Sequence, residues 1–150
     1  MNIHLVNSNT ASEELVKAHH IHTQSQYNPW SYATFADCTT APYYCVLAYD
    51  EDVVVGYAIV LEVVDEATLM DIAVDVLYRG QGVGKKLVEH VKKQSTNNGM
   101  ASMWLEVRVS NEAAIKLYEK MHFEPIEVRK HYYQSETGKE DALIMKSELL

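Results

Sequence analysis

Ala67-Thr68-Leu69-Met70-Asp71-Ile72-Ala73-Val74 is followed, four residues on, by Arg79-Gly80-Gln81-Gly82-Val83-Gly84 and then Lys85-Lys86-Leu87-Val88-Glu89-His90-Val91. The first segment is nearly continuous in apolar residues and predicts a strand buried on both faces. The last places Leu87, Val88 and Val91 on one helical face. Three glycines at alternate positions join strand to helix. Glycine admits positive φ and lets a ligand approach the backbone, and free amides at a helix N-terminus hold anions, phosphates above all. Residues 79–93 carry Arg79, Lys85, Lys86, Lys92 and Lys93 against Glu89 alone. A P-loop would need glycine at position 79 and Ser or Thr at 86, where Arg79 and Lys86 stand. A dinucleotide fingerprint would need a third glycine at Lys85. What is left is Arg-x-x-Gly-x-Gly, a pattern that a tight turn with no ligand also satisfies.

Upstream, Ile3 to Val6 reads as a short strand. Ser12 is placed to cap a helix with Glu13 and Glu14 in its first turn. Leu15, Ala18, His19 and His22 recur at helical spacing on it. Pro29 disfavours helix at Asn28, and Ser31 can cap a second short helix to about Asp37. Tyr43–Tyr49 and Val53–Val64 flank the turn Asp50-Glu51-Asp52 as a hairpin. Downstream, Asn97-Asn98-Gly99 ends the lysine-rich helix. Ala101–Val109 is a strand, Ser110 caps a helix bearing Ala113, Ala114, Leu117 and Tyr118, and Phe123–His131 and Ala142–Lys146 are strands joined by a polar loop. The order β-α-α-β-β-β-α-β-α-β-β implies parallel pairing in the middle and antiparallel pairing at the edges of an α/β protein.

The chain has 150 residues, 47% hydrophobic and 23% charged, with a net charge of −8. That suits one domain over residues 1–150 and excludes disorder. No apolar run reaches the ~20 residues of a membrane span, and the N-terminus lacks a signal-peptide pattern. A cytoplasmic location follows, with Cys38 and Cys45 reduced. An acidic chain without a basic stripe argues against direct nucleic-acid binding. The charge is uneven. Residues 1–78 hold one basic residue, Lys17, against eleven acids, whereas residues 79–150 hold twelve basic residues against ten acids. His19, His20 and His22 cluster without a further ligand, so no metal is expected and they read as solvated helix histidines.

Arg79-x-x-Gly82-x-Gly84 after a strand resembles the acetyl-CoA pyrophosphate loop of the GNAT acetyltransferase superfamily. DEATLMDIAV (65–74), WLEVRVSN (104–111), AIKLYE (114–119), RKHYY (129–133) and EDALIM (140–145) resemble its RimI branch. The resemblance runs from about Pro29 to Lys146 and is densest after Asp65. It implies the GNAT fold: a mixed, mostly antiparallel twisted sheet of about seven strands with about four helices, and acetyl-CoA in the splay between the two central parallel strands. It also implies acetyl transfer to the N-terminal alanine of a small-subunit ribosomal protein, by a monomer and without a covalent enzyme intermediate.

The resemblance assigns roles residue by residue. Glu106 matches the general base, although strand alternation alone fits a solvent-facing carboxylate equally well. Tyr118 matches the general acid that protonates the CoA sulfur; helix-face packing also accounts for a tyrosine there. Ile72, Ala73 and Val74 would bind the pantetheine arm through their backbone, with Asn111 hydrogen-bonded to it. Arg79, Gly80, Gln81, Gly82, Val83, Gly84 and Lys85 would cradle the pyrophosphate. Tyr132 and Tyr133, in the loop before the last strand, and Trp30 opposite them would line the acceptor groove. Two positions depart from the pattern. His122 replaces a glycine at a helix end that adopts left-handed geometry, and Val76 replaces a proline after Asp75, loosening the approach to the glycine turn. Two rivals stay open: a GNAT enzyme for another amine, such as lysine or a small polyamine, and a non-catalytic CoA-binding module.

Overall fold

The computed structural model describes residues 1–135 and 138–149. Its elements are β1 (Asn2–Leu5), α1 (Ser12–Ser25), α2 (Tyr32–Asp37), β2 (Tyr43–Asp50), β3 (Val53–Val63), β4 (Glu66–Val74), α3 (Val83–Asn97), β5 (Ser102–Arg108), α4 (Glu112–Lys120), β6 (Glu124–Ser135) and β7 (Gly138–Glu148). Among the described residues seven strands form one sheet in the order β1-β2-β3-β4-β5-β7-β6. All pairs are antiparallel except β4 with β5. The expected element order and mixed sheet are therefore present.

The parallel pair is short. β4 and β5 are in register only from Glu66 opposite Ser102 to Leu69 opposite Leu105. Beyond that point β4 stays on β3 as far as Val74 opposite Gly56, and β5 stays on β7 as far as Arg108 opposite Ala142. Each strand keeps its outer neighbour, so the sheet opens between them. Met70 is left out of the β3–β4 ladder, since Ile59 faces Asp71 and Val60 faces Leu69. Such a bulge turns the strand locally and re-aims the residues after it.

α3 packs on one face of the sheet through Val83, Leu87, Val88 and Val91, against Val55, Val60, Leu69, Met103 and Leu105. Each of these fully buried side chains contributes on the order of 1.5–3 kcal/mol. α1 and α2 cover the other face of β2–β4 through Ala18, Ile21 and Phe35.

Several local expectations need correction. β4 does bury side chains on both faces, Ala67 and Leu69 toward α3 and Ala73 toward α1, but not continuously: Met70 at the bulge is 40% exposed beside the cleft. Ser12 is the first residue of α1, and Ala11 holds the cap position with no side-chain bond. The cap of α4 is Asn111, whose side chain accepts from the Ala114 amide, while the Ser110 amide donates to Glu140. The polar loop expected after His131 is mostly strand, because β6 and β7 continue toward each other; positions 136 and 137 of it lie outside the described residues. Ser31 does cap α2, accepting from the Thr34 amide at 3.2 Å. His122 does adopt left-handed geometry, at φ 70°. At Val76 the approach to the glycine turn is tied down from Asp75, which accepts from the Leu77 amide and from Lys17, both at 3.0 Å.

Candidate active site

The opening between β4 and β5 is a cleft of about 670 Å³. Its walls bring together most of the expected residues. Ile72, Ala73 and Val74 come from β4, Arg79, Gly80, Gly82, Val83 and Gly84 from the turn and the start of α3, Glu106 from β5, Asn111, Leu117 and Tyr118 from the α4 region, and Tyr133 from β6. Gln81 and Lys85 are not among the lining residues; Lys85 points to Glu89 at 3.9 Å.

The glycine turn has the form that an anion site requires. Gly80 and Gly82 have φ of 78° and 82°, and a Cβ built on either would meet nothing within 4 Å. Both therefore answer a backbone need and border open space. Gly82 is the N-cap of α3, so the first amides of that helix face the turn. Gly84 is different: its φ is not positive, and a Cβ there would make only an ordinary contact, 3.5 Å from the Leu117 side chain. The Arg79 Nε donates to the Val74 carbonyl at 3.2 Å, folding the turn against the end of β4. Beyond Leu69 the backbone of β4 on the β5 side is released from strand pairing, and it can pair with an extended amide-bearing chain instead. These features fit the pantetheine and pyrophosphate of acetyl-CoA.

Glu106 alternates with Leu105 and Val107, both of which join the α3-side core, and so points to the opposite face. There Arg129 Nη1 donates to Glu106 Oε1 at 2.9 Å, and the Tyr132 hydroxyl is hydrogen-bonded to the same carboxylate. The Arg129 guanidinium lies 4.3 Å from the centre of the Tyr132 ring. The Glu106 hydrogen bond pushes the Tyr132 phenol pKa up, assisted by burial. Tyr133 stands over Arg108 at 4.5 Å, and burial pushes its phenol up as well. Arg108 itself reaches Glu140 at 3.5 Å. Tyr132 and Tyr133 thus sit on strand β6 rather than in a loop, beside a left-handed break at His131, φ 56°.

Tyr118 lines the cleft at only 6% exposure, edge-on to Phe123. Burial first, then the charge of Asp71, raise its pKa to about 12. The phenol therefore keeps its proton through the neutral range and remains a donor. Both cysteine thiols are pushed up, chiefly by burial, the opposite of what an activated nucleophile needs.

Trp30 does not line the cleft. It packs with its ring 5.0 Å from that of His22, and Ser25 and Gln26 form the nearby wall. Of the three helix histidines only His20 is exposed as expected; His19 is half-buried and His22 is buried. His22 is 2% exposed, with Nδ1 2.7 Å from Asp71 Oδ2. Asp71, Gln26 and Arg129 had no role assigned from sequence. A lone carboxylate inside an apolar strand was the available signal for Asp71, since a buried charge must be matched.

Residues 9–123 match the acetyltransferase (GNAT) family model. The chain belongs to the GNAT family. This acetyltransferase is 41% identical over 138 residues to the [ribosomal protein bS18]-alanine N-acetyltransferase of Escherichia coli strain K12, covering 92% of this chain and 93% of that one. The protein of the same name from Haemophilus influenzae is 36% identical over 130 residues, covering 86% and 88%. The crystal structure of the ribosomal-protein-S18-alanine N-acetyltransferase from Escherichia coli superposes with a TM-score of 0.88 at 38% identity, covering 99% of this chain and 94% of that one. Among the described residues no helix is long and apolar enough to cross a membrane.

Proposed function

We propose that this GNAT protein transfers the acetyl group of acetyl-CoA to the N-terminal alanine of ribosomal protein bS18, acting in the cytoplasm. The observation that carries the reading is the cleft itself, with a carboxylate on β5 and a protonated phenol on α4 lining a released strand edge. Likeness to relatives named for this activity supports the choice of acceptor.

Acetyl-CoA supplies the activated acetyl group and leaves as the free thiol. Gly80, Gly82 and the first amides of α3 hold its phosphates, with Arg79 beside them. Backbone groups of Ile72, Ala73 and Val74 align the pantetheine and polarise the thioester carbonyl; Asn111 supports the arm. Glu106, directly or through one water, takes the proton that the acceptor amine gives up as its nitrogen bonds to the carbonyl carbon. The carbon–sulfur bond breaks, and the Tyr118 phenol donates to the departing sulfur. Tyr132 and Tyr133 flank the approach of the acceptor. An α-amine, pKa ~8, costs about 3 kcal/mol less to deprotonate at neutral pH than a lysine, pKa ~10.4.

The test compares wild type with Glu106→Gln on acetyl-CoA and an alanine-initiated peptide. Turnover should fall by about 100-fold or more while acetyl-CoA affinity stays the same. Unchanged turnover would refute the base assignment, and no turnover by wild type would favour a CoA-binding module.

A further inference from the structure

A buried polar network on the α1 side of the cleft takes no part in the chemistry above. Asp71 sits at its centre, 8% exposed and lining the cleft. Its Oδ2 lies 2.7 Å from His22 Nδ1 and accepts from the Tyr57 hydroxyl at 2.5 Å, while its Oδ1 accepts from Gln26 Nε2 at 2.8 Å. Three donors from α1, the α1–α2 linker and β3 thus converge on one carboxylate of β4.

The network continues to the linker. The Trp30 amide donates to His22 Nε2 at 2.9 Å, and the Trp30 carbonyl lies 2.8 Å from His19 Nε2. An amide can only donate and a carbonyl can only accept. His22 therefore carries its proton on Nδ1, directed at Asp71, and His19 carries one on Nε2. The two rings are one helical turn apart and hold both backbone polar groups of the same residue. The linker belongs to neither helix nor to the sheet, so its backbone must find such partners elsewhere.

We propose that Asp71 and His22, with His19, are positioning residues for the acceptor. They hold Gln26, which lines the cleft, directly, and hold the linker behind it through Trp30 by way of His22, so that Gln26 stands as part of one wall of the acceptor half of the cleft. The inference rests on the peptide-acceptor reading above. The acceptor then meets a preformed wall, and loosening that wall weakens acceptor binding while leaving the phosphate turn, which is built from other residues, untouched.

The experiment uses His22→Gln and His19→Ala in the full-length protein. Four quantities are read: amide hydrogen exchange over residues 26–31, acetyl-CoA affinity, and KM and kcat for an alanine-initiated peptide. Both variants should speed exchange at Trp30 by about 10-fold or more. Both should raise the acceptor KM by roughly 5- to 10-fold, with acetyl-CoA affinity held within about 2-fold and kcat within about 3-fold. His19→Ala, at a half-buried position, carries the test if His22→Gln does not fold. An unchanged acceptor KM despite faster exchange overturns the proposal, as does an equal loss of acetyl-CoA affinity. If wild type ignores peptides and acetylates only a small amine, the peptide reading fails by itself. The same KM comparison is then made with that amine, and an unchanged value overturns the positioning role as well.

Discussion

Tyr118 is the residue whose environment makes the sharpest demand on the chemistry. Burial and the nearby Asp71 charge hold its pKa at about 12, so the donor is lost only above that pH. It follows that kcat shows no alkaline fall due to Tyr118 below about pH 11, while kcat/KM rises toward a plateau as the acceptor α-amine deprotonates near pH 8. Tyr118→Phe should lower kcat by about 100-fold without changing the shape of that profile. A wild-type decline between about pH 8 and 10 that vanishes in Tyr118→Phe would contradict the raised pKa, and an unchanged kcat in Tyr118→Phe would contradict the acid role. Glu106 and Tyr118 were legible in the sequence only through a family resemblance, because alternation and helix periodicity give a face and not a role. The Asp71–His22 pair was not legible: its members are 49 positions apart, and nothing local in a histidine-rich helix says which ring turns inward.

At the scale of elements, the turn between β4 and α3 carries the ligand side of the account. Gly82 has φ of 82° with open space around it, so Gly82→Ala meets no clash and its cost is confined to the backbone. Left-handed geometry costs a non-glycine residue about 1–2 kcal/mol. If the turn relaxes to avoid that cost, the first amides of α3 move off the phosphates. Equilibrium binding should then show acetyl-CoA affinity reduced by about 10-fold, with little change in acceptor KM. Unaltered affinity would mean that the turn does not hold the phosphates. The elements themselves were legible from patterning, and their order was read correctly. The caps were not, because neighbouring Ser110 and Asn111 are equally good cap residues in sequence; the helix begins at Glu112, which puts the Asn111 side chain and not that of Ser110 within reach of the Ala114 amide. Nor was the full length of β6 and β7. Polar residues 132–135 and 138–141 look like a loop until each strand supplies the other's backbone partners.

Across the whole molecule, the break in charge at Arg79 coincides with the opening of the sheet. Strands β1–β4 come from the acidic stretch, and the basic surplus after Arg79 lies in the glycine turn and α3, where Arg79, Lys85, Lys86, Lys92 and Lys93 face Glu89 alone, so the cleft joins an acidic sheet half to a basic phosphate end. An acidic wall draws a cationic N-terminus on a basic protein. The acceptor KM should therefore rise as ionic strength increases from about 0.02 to 0.3 M, a range over which the screening length falls severalfold. A constant KM would remove long-range steering from the account.

The central claim is that the acceptor is an N-terminal alanine. The most direct measurement gives the enzyme acetyl-CoA and a set of peptides that differ only in their first residue, each with an internal lysine, and maps the acetyl group by mass spectrometry. The account predicts acetylation on the α-amine alone, with alanine-initiated peptides preferred by about 10-fold or more in kcat/KM. Acetyl groups on the lysine, or equal rates whatever the first residue, would contradict it.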